Sequence, residues 1–272
     1  MDYNDHEKVI PIVIVGARGR MGKVLVQEVV ASDDLSLVGA VDRSGSPGIG
    51  QDAGTFAGGL RIDVEITDDF APRRGTVVVD FSLPEATSSN LDRCLVHGAG
   101  LVLGTTGLDS KTREHLLAAS KEIPIVHAAN YSVGVTVLTH LATLAARALG
   151  PSWDNEILEL HHRHKRDAPS GTALRLADQL AKTSDRTSDS IVTQRSGPAA
   201  RRHDGEIGVA SLRGGDSIGE HCIFYLGDGE RIELVHRAHE RAIFARGALR
   251  AARWVLDRDP GLYDMSHVLG LV

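Results

Sequence analysis

The sequence predicts an α/β protein: a Rossmann-type doubly wound parallel sheet domain, with a second α+β domain built on an open mixed or antiparallel sheet. Three observations predict it. Residues 9–30 read as a buried strand, a glycine turn and an amphipathic helix, the opening unit of a dinucleotide fold. Short apolar runs then alternate with helical patterns to about residue 130, as βαβ crossovers require. From residue 191 the strands follow one another through glycine turns without helices between them.

Each element has its own local reason. Val9-Ile-Pro-Ile-Val-Ile-Val15 is a continuous apolar run suited to a strand buried on both faces. Gly16-Ala-Arg-Gly-Arg-Met-Gly22 follows at once, and Val24, Leu25, Val29 and Val30 give the next helix its apolar stripe. The glycines form GxxGxxG rather than GxGxxG, because Arg18 stands where the second glycine would be. The alternative reading of this turn is a tight strand-to-helix connection with no ligand. A second strand over 35–41 ends in Asp42-Arg43. An acid there suits an adenosine ribose hydroxyl and so NADH, an arginine suits the 2′-phosphate of NADPH, and an ordinary ion pair is the plain alternative.

Residues 44–59, rich in Gly and Ser, predict a long mobile loop, and 61–66 a short strand. A buried strand over 76–82 leads to a helix opened by Pro84 and running to about His97. Strands over 101–107 and 123–130 flank a helix from Ser110. Gly104, Thr105, Thr106 and residues Ala128, Ala129, Asn130 and Tyr131 fall at strand carboxyl ends, where such folds bind ligands; plain turn chemistry explains them equally well one by one. A long apolar helix spans 133–149, a polar linker 183–190, and strands 207–212, 221–225 and 231–236, before a helix over 241–256 expected to return to the first domain. The domain boundaries that follow are 1–131 plus 241–272 for the dinucleotide-binding domain, and 132–240 for a substrate-binding and oligomerisation domain. The second sheet needs a cover on its open face, and the like sheet of another subunit is the economical one.

Composition narrows the partners. A formal charge of −6 argues against a broad basic surface for nucleic acid, and 4% aromatics leave no stacking platform for bases. No apolar run approaches the roughly 20 residues of a membrane span, and the first residues are acidic where a signal peptide is basic, so a cytoplasmic protein is expected. Cys94 and Cys222 are far apart among aliphatic neighbours and read as buried, reduced thiols.

The densest chemistry lies in Glu159-Leu-His-His-Arg-His-Lys-Arg-Asp-Ala-Pro-Ser-Gly-Thr-Ala173. A strand over 156–160 runs into a loop carrying His161, His162, His164 and Lys165, and Pro169 to Thr172 opens a helix with Ala173, Leu174, Leu176, Ala177 and Leu180 at helical spacing. First-turn amides bind anions, and imidazole with ammonium supplies acid–base chemistry, so the unit suits a carboxylate substrate. A solvated basic loop and a zinc site are the alternatives; the absence of nearby cysteine and of an HExxH pairing disfavours metal.

These motifs together resemble one family. The GxxGRMG turn at 16–22, Gly-Thr-Thr-Gly at 104–107, Ala-Ala-Asn-Tyr-Ser-Val-Gly at 128–134, the 159–173 stretch, Arg-Gly-Gly-Asp at 213–216 and Gly219-Glu220-His221 are similar to those of the 4-hydroxy-tetrahydrodipicolinate reductase (dihydrodipicolinate reductase) family of the bacterial and plant lysine pathway, over almost the whole chain. The resemblance implies reduction of a small cyclic dicarboxylate by NADPH or NADH. It implies His161 as acid/base residue, Lys165 as proton donor, and His162 with the backbone of Gly171 and Thr172 as carboxylate binders. It implies cofactor contacts from Gly16, Ala17, Arg18, Gly19, Arg20, Met21, Asp42, Arg43, Gly104, Thr105, Thr106, Ala128, Ala129, Asn130 and Tyr131, and no metal. One departure is Leu83, where some members carry arginine. Two other readings compete: a small dehydrogenase of the aspartate or semialdehyde type, and a non-catalytic dinucleotide sensor. An acyl-forming reductase needs a cysteine in a polar strand-end setting, which neither cysteine has, and a sensor has no use for Lys165 and His161 together.

Overall fold

The computed structural model describes residues 9–198 and 200–272. In chain order the elements are β1 (Ile10–Val15), α1 (Arg20–Val30), β2 (Leu35–Val41), α2 (Ala53–Phe56), β3 (Ile66–Thr67), β4 (Val77–Asp80), α3 (Pro84–His97), β5 (Gly100–Leu103), α4 (Ser110–Ala119), β6 (Pro124–His127), α5 (Val133–Leu149) and β7 (Asp154–His161). Then come α6 (Gly171–Thr183), β8 (Ile191–Val192), β9 (Ile207–Arg213), β10 (Gly219–Gly227), β11 (Glu230–Ala238), α7 (Ala242–Val255), β12 (Gly261–Tyr263) and α8 (Met265–Val268). Described residues up to Val133 together with Arg241–Val272 form one compact unit, and Gly134–Glu240 form another.

The first unit holds a seven-stranded sheet in the order β12-β6-β5-β4-β1-β2-β3, with every pair parallel. Side chains of β1 alternate between two cores. Ile12 and Ile14 join Leu25, Val29, Ala248 and Leu249 under α1 and α7. Val13 and Val15 join Leu91, Cys94 and Leu116 under α3 and α4. Apolar on both faces, β1 needs the covered centre of a parallel sheet, which is where it lies. A parallel sheet wound on both faces gathers its ligand sites at the carboxyl ends of the strands.

The second unit holds a mixed five-stranded sheet, β11-β10-β7-β9-β8. β7 runs antiparallel to β10 and parallel to β9. Helices α5 and α6 supply Leu138, Ala142, Leu176, Ala177 and Leu180 to one face, packed on Ile157, Val209, Ile223 and Tyr225. The Tyr225 hydroxyl donates to the Ala142 carbonyl at 2.6 Å, which meets the polar demand of a buried phenol. The opposite face carries Leu158, Leu160, Cys222 and Phe224, all half-buried, and Leu212 and Val235, 49% and 41% exposed.

Several expectations need correction. Residues 44–59 are not a featureless loop, because Asp52 caps α2 by accepting the Thr55 amide at 2.9 Å and also accepts the Ile62 amide at 3.1 Å. The strand expected over 61–66 is only β3, since Asp63 adopts φ 58°, outside any strand conformation. The helix expected over 241–256 is not the last element: Gly261–Tyr263 adds an edge strand to β6, and Asp264 caps the short helix α8. Cys222 is half-buried on the open face of the second sheet rather than buried. Among the described residues no helix is long and apolar enough to cross a membrane.

Candidate active site

The first group of site residues surrounds the turn between β1 and α1. The Gly16 and Ala17 amides both donate to the Val41 carbonyl, at 2.8 and 2.9 Å, which seats the turn on the end of β2. Gly16 has φ +81°, the left-handed region that favours glycine. A Cβ on Gly22 would lie 2.2 Å from the Gly16 carbonyl oxygen, so α1 approaches the turn as only glycine permits. The Asp42 carboxylate accepts the Arg18 amide at 3.1 Å and the Arg43 amide at 2.9 Å, locking the turn to the strand end.

A cleft of about 550 Å³ opens over this turn. Of the expected cofactor residues, Gly16, Arg18, Gly19, Asp42 and Arg43 line it. Ala17 is buried beneath it, while Arg20 and Met21 begin α1 and do not line it. The far wall comes from Phe81, Ser82, Leu83 and Arg93, which sequence reasoning gave no such role except for Leu83. Arg93 lies over the Phe70 ring and pairs with Asp69, so one wall is a stacked cation and arene.

At the ends of β5 and β6 the expected residues are pinned rather than loose. The Gly104 amide donates to the Asp80 carbonyl at 2.8 Å, and Thr105 Oγ1 donates to the Ser82 carbonyl at 3.1 Å. Asp80 itself is fully buried, accepting the Ser82 amide and the Asn90 side chain at 2.8 Å each. Burial pushes its pKa up despite these donors. Asp80 went unassigned in the sequence, although an acid closing the apolar run Val77–Asp80 was a visible signal. Ala128 and Ala129 follow β6, and Asn130 Oδ1 accepts the Ser132 amide at 2.8 Å. The Tyr131 phenol lies in the core, donating to the Leu103 and Val126 carbonyls at 2.9 Å each, so its ring ties strand ends together instead of facing solvent.

The second group lies at the end of β7. His161 is its last residue and is buried, with Nδ1 hydrogen-bonded to Glu159. Arg213 Nη2 donates to the same carboxylate at 2.7 Å, and the Ser170 amide at 3.2 Å. Burial lowers the His161 pKa, with Lys165 and Arg213 adding to that, while Glu159 draws it back up. His221 stacks edge-on to His161 at 5.4 Å, and its Nε2 lies 3.3 Å from Ser170 Oγ. Burial above all, with His161 beside it, brings the His221 pKa down to about 4. Glu159, Arg213 and His221 were quoted in the sequence motifs without a part in the chemistry; only strand pairing reveals their convergence, since β9 and β10 both flank β7.

The loop after β7 carries the cations. Lys165 Nζ lies 2.8 Å from Asp167 Oδ1. The His162 amide donates to the Ser217 carbonyl at 2.8 Å, and its ring lies 6.3 Å from that of His164, which is exposed. Ser170 caps α6, its hydroxyl accepting the Ala173 amide at 3.2 Å. Gly171 and Thr172 are the first two residues of that helix, so their amides belong to the turn whose donors have no helical acceptor. Among the described residues no group of three or more His, Cys, Asp or Glu side chains is placed to hold a metal ion.

Comparison with known proteins adds to this geometry. The family model for dihydrodipicolinate reductase, N-terminus, matches residues 10–131, and that for dihydrodipicolinate reductase, C-terminus, matches residues 134–269. The chain is 51% identical over 263 residues to a 4-hydroxy-tetrahydrodipicolinate reductase of Alkalilimnicola ehrlichii, covering 96% of this chain and 98% of the relative. It is 48% identical over 265 residues to one of Thiobacillus denitrificans, covering 96% and 99%. Among solved structures it superposes on a dipicolinate-bound dihydrodipicolinate reductase from Paenisporosarcina sp. TG-14 with a TM-score of 0.74 and 24% identity, over 94% of this chain and 97% of the other.

Proposed function

The chain belongs to the dihydrodipicolinate reductase family, and from that premise we propose that it reduces 4-hydroxy-tetrahydrodipicolinate, through dihydrodipicolinate with loss of water, to tetrahydrodipicolinate in lysine and diaminopimelate biosynthesis. The reductant is NADPH or NADH. The observation that carries this reading is the β7-to-α6 unit, which brings a buried imidazole, a lysine and the first turn of a helix within twenty residues in a chain about half identical to named reductases.

The glycine turn fits a dinucleotide: without a Cβ at Gly16, Gly19 and Gly22 the turn packs closely on its own backbone and on that of Phe81, which sets the head of α1, an end of a helix suited to a pyrophosphate, against the end of β1. Gly16 to Met21 hold that group, Asp42 and Arg43 meet the adenosine ribose, and Gly104 to Thr106 with Ala128 to Tyr131 present backbone toward the nicotinamide end. The bound cofactor supplies a hydride.

The chain's own residues do the rest. The Gly171 and Thr172 amides, aided by the helix dipole, and the His162 ring hold the two substrate carboxylates. Lys165 donates the proton that accompanies hydride addition, and Asp167 holds its ammonium in place until then. His161 relays the proton that restores Lys165. Residues 1–131 with 241–272 act as the dinucleotide-binding domain and residues 132–240 as the substrate-binding and oligomerisation domain. The open apolar face of the second sheet, with Leu212 and Val235 exposed, supports a homotetramer assembled through like sheets. A cytoplasmic setting completes the proposal.

The test is a coupled assay. Dihydrodipicolinate synthase generates the substrate from pyruvate and aspartate semialdehyde, and cofactor oxidation is followed by absorbance. Synthase-dependent oxidation is expected with at least one cofactor; a folded, cofactor-binding protein that oxidises neither contradicts the proposal.

A further inference from the structure

Side chains of β7 alternate between the helix-covered face and the open face, and the covered face carries Asn155, Ile157, Glu159 and His161 in turn. The last two positions place a carboxylate and an imidazole where the register calls for apolar residues. Glu159 has no exposed surface. A carboxylate buried so completely is costly unless donors surround it. Three do: His161 Nδ1, Arg213 Nη2 at 2.7 Å and the Ser170 amide at 3.2 Å. One side chain therefore joins the end of β7, the end of β9 and the cap of α6.

The surroundings of the imidazole fix it further. A Cβ on Gly219 would lie 2.8 Å from His161 Nε2, so β10 leaves room for the ring only because that residue is glycine. His221 closes another side edge-on, its ring at 79° to that of His161. Among the described residues the Glu159 bond is the hydrogen bond the His161 ring makes, and Nε2 makes none. A carboxylate held by Arg213 and an amide is an acceptor, so the ring proton sits on Nδ1.

We propose that Glu159 is a positioning residue of the reaction: its buried carboxylate holds His161 in the Nδ1-protonated tautomer and leaves Nε2 as the atom that exchanges protons at the site. This rests on reading His161 as the proton-handling histidine. The charged and titratable groups facing that ring are Glu159 on its own strand, Lys165 on the loop, Arg213 on β9 and His221 on β10, with His236 beyond His221 on β11. Of these, Glu159 favours the imidazolium, and Lys165 and Arg213 oppose it.

The experiment compares Glu159→Gln, His161→Gln and the double variant in the synthase-coupled assay across pH. Glu159→Gln is expected to lower kcat roughly ten- to a hundredfold, the range for removing an orienting partner of an active histidine. KM for substrate and Kd for NADH should stay within about twofold, uniform binding being untouched. The pH–rate limb of His161 should move to lower pH, because the group favouring its charged form is gone. The double variant should be no slower than His161→Gln, because both changes remove one unit of function. A slow His161→Gln beside a Glu159→Gln variant with wild-type kcat and pH profile overturns the positioning role alone. Wild-type rate in His161→Gln overturns the assigned role of His161 and this inference with it. Should Glu159→Gln fail to fold, ¹⁵N NMR of the wild-type histidines decides: an Nδ1-protonated neutral His161 is expected, and an Nε2-protonated one refutes the proposal.

Discussion

Gly22→Ala sets two physical effects of opposite sign against each other. Gly22 lies within α1, where alanine is favoured over glycine by roughly 1 kcal/mol on helix propensity alone. If the turn were an ordinary strand-to-helix connection, the substitution would therefore stabilise the protein. The added Cβ, however, would stand 2.2 Å from the Gly16 carbonyl oxygen and 2.6 Å from both Ala17 Cα and the Ala17 carbonyl oxygen. All three are backbone atoms, so relief requires moving the turn rather than rotating a side chain. Overpacking of this kind costs about 1–3 kcal/mol, and the rigidity of the contact places it at the upper end, for a net loss of about 1–2 kcal/mol. At roughly 2–4 °C per kcal/mol for a chain of this size, Tm should fall by about 2–8 °C. Moving the turn also displaces amides proposed to meet the pyrophosphate, so NADH affinity should fall at least tenfold. Differential scanning fluorimetry and NADH fluorescence titration measure both, with Gly214→Ala as reference, since a Cβ there meets nothing within 4 Å. Unchanged or raised Tm with wild-type NADH affinity would refute the close-approach argument.

Lys165→Ala should lower kcat by about 10²–10⁴ while NADH affinity holds, measured by steady-state kinetics and titration; equal loss of both would show that the lysine serves the cofactor. Arg43→Gln should weaken NADPH by about tenfold, as expected for losing a charged hydrogen bond, and NADH far less, read from the two Kd values. Ser170→Ala removes the cap of α6 and should cost about 1 kcal/mol in urea unfolding, with a raised KM for substrate. His221 gives a pH signature. Its folded pKa lies near 4 against 6.5 in the unfolded chain, so the unfolded state takes up the proton first. Stability from this group is full above about pH 6.5 and falls as the pH drops toward 4, by roughly 3 kcal/mol over that window. Urea unfolding at pH 7 and 4.5 should show the slope, and His221→Gln should flatten it.

The parallel sheet was legible because its strands are apolar on both faces and short, so β2, α3 and α5 fall where the residue pattern puts them. What escaped had weak or misleading local signals. Glycine and serine over 44–59 suggested mobility, yet Asp52 organises that segment through contacts with Thr55 and Ile62. β12 has three residues and exists only because β6 offers an edge. At the site, the loop carrying His161 and Lys165 was visible as a run of chemistry, and the cap at Ser170 as a start signal. The partners of His161 were not, because Arg213 and His221 lie 52 and 60 residues further along and meet it only through strand pairing. Asp80 and its hold on Asn90 and Ser82 escaped for the same reason: a buried acid in an apolar run has no meaning until its donors are placed.

The most direct test of the proposed activity is isotopic. Substrate generated by dihydrodipicolinate synthase is reduced with NADPH or NADH carrying deuterium at the transferable C4 position, and the product is analysed by mass spectrometry. Hydride transfer to the ring predicts tetrahydrodipicolinate one mass unit heavier, in wild-type protein and, far more slowly, in Lys165→Ala. Product formed without deuterium, or no tetrahydrodipicolinate from a folded, cofactor-bound protein, would contradict the account.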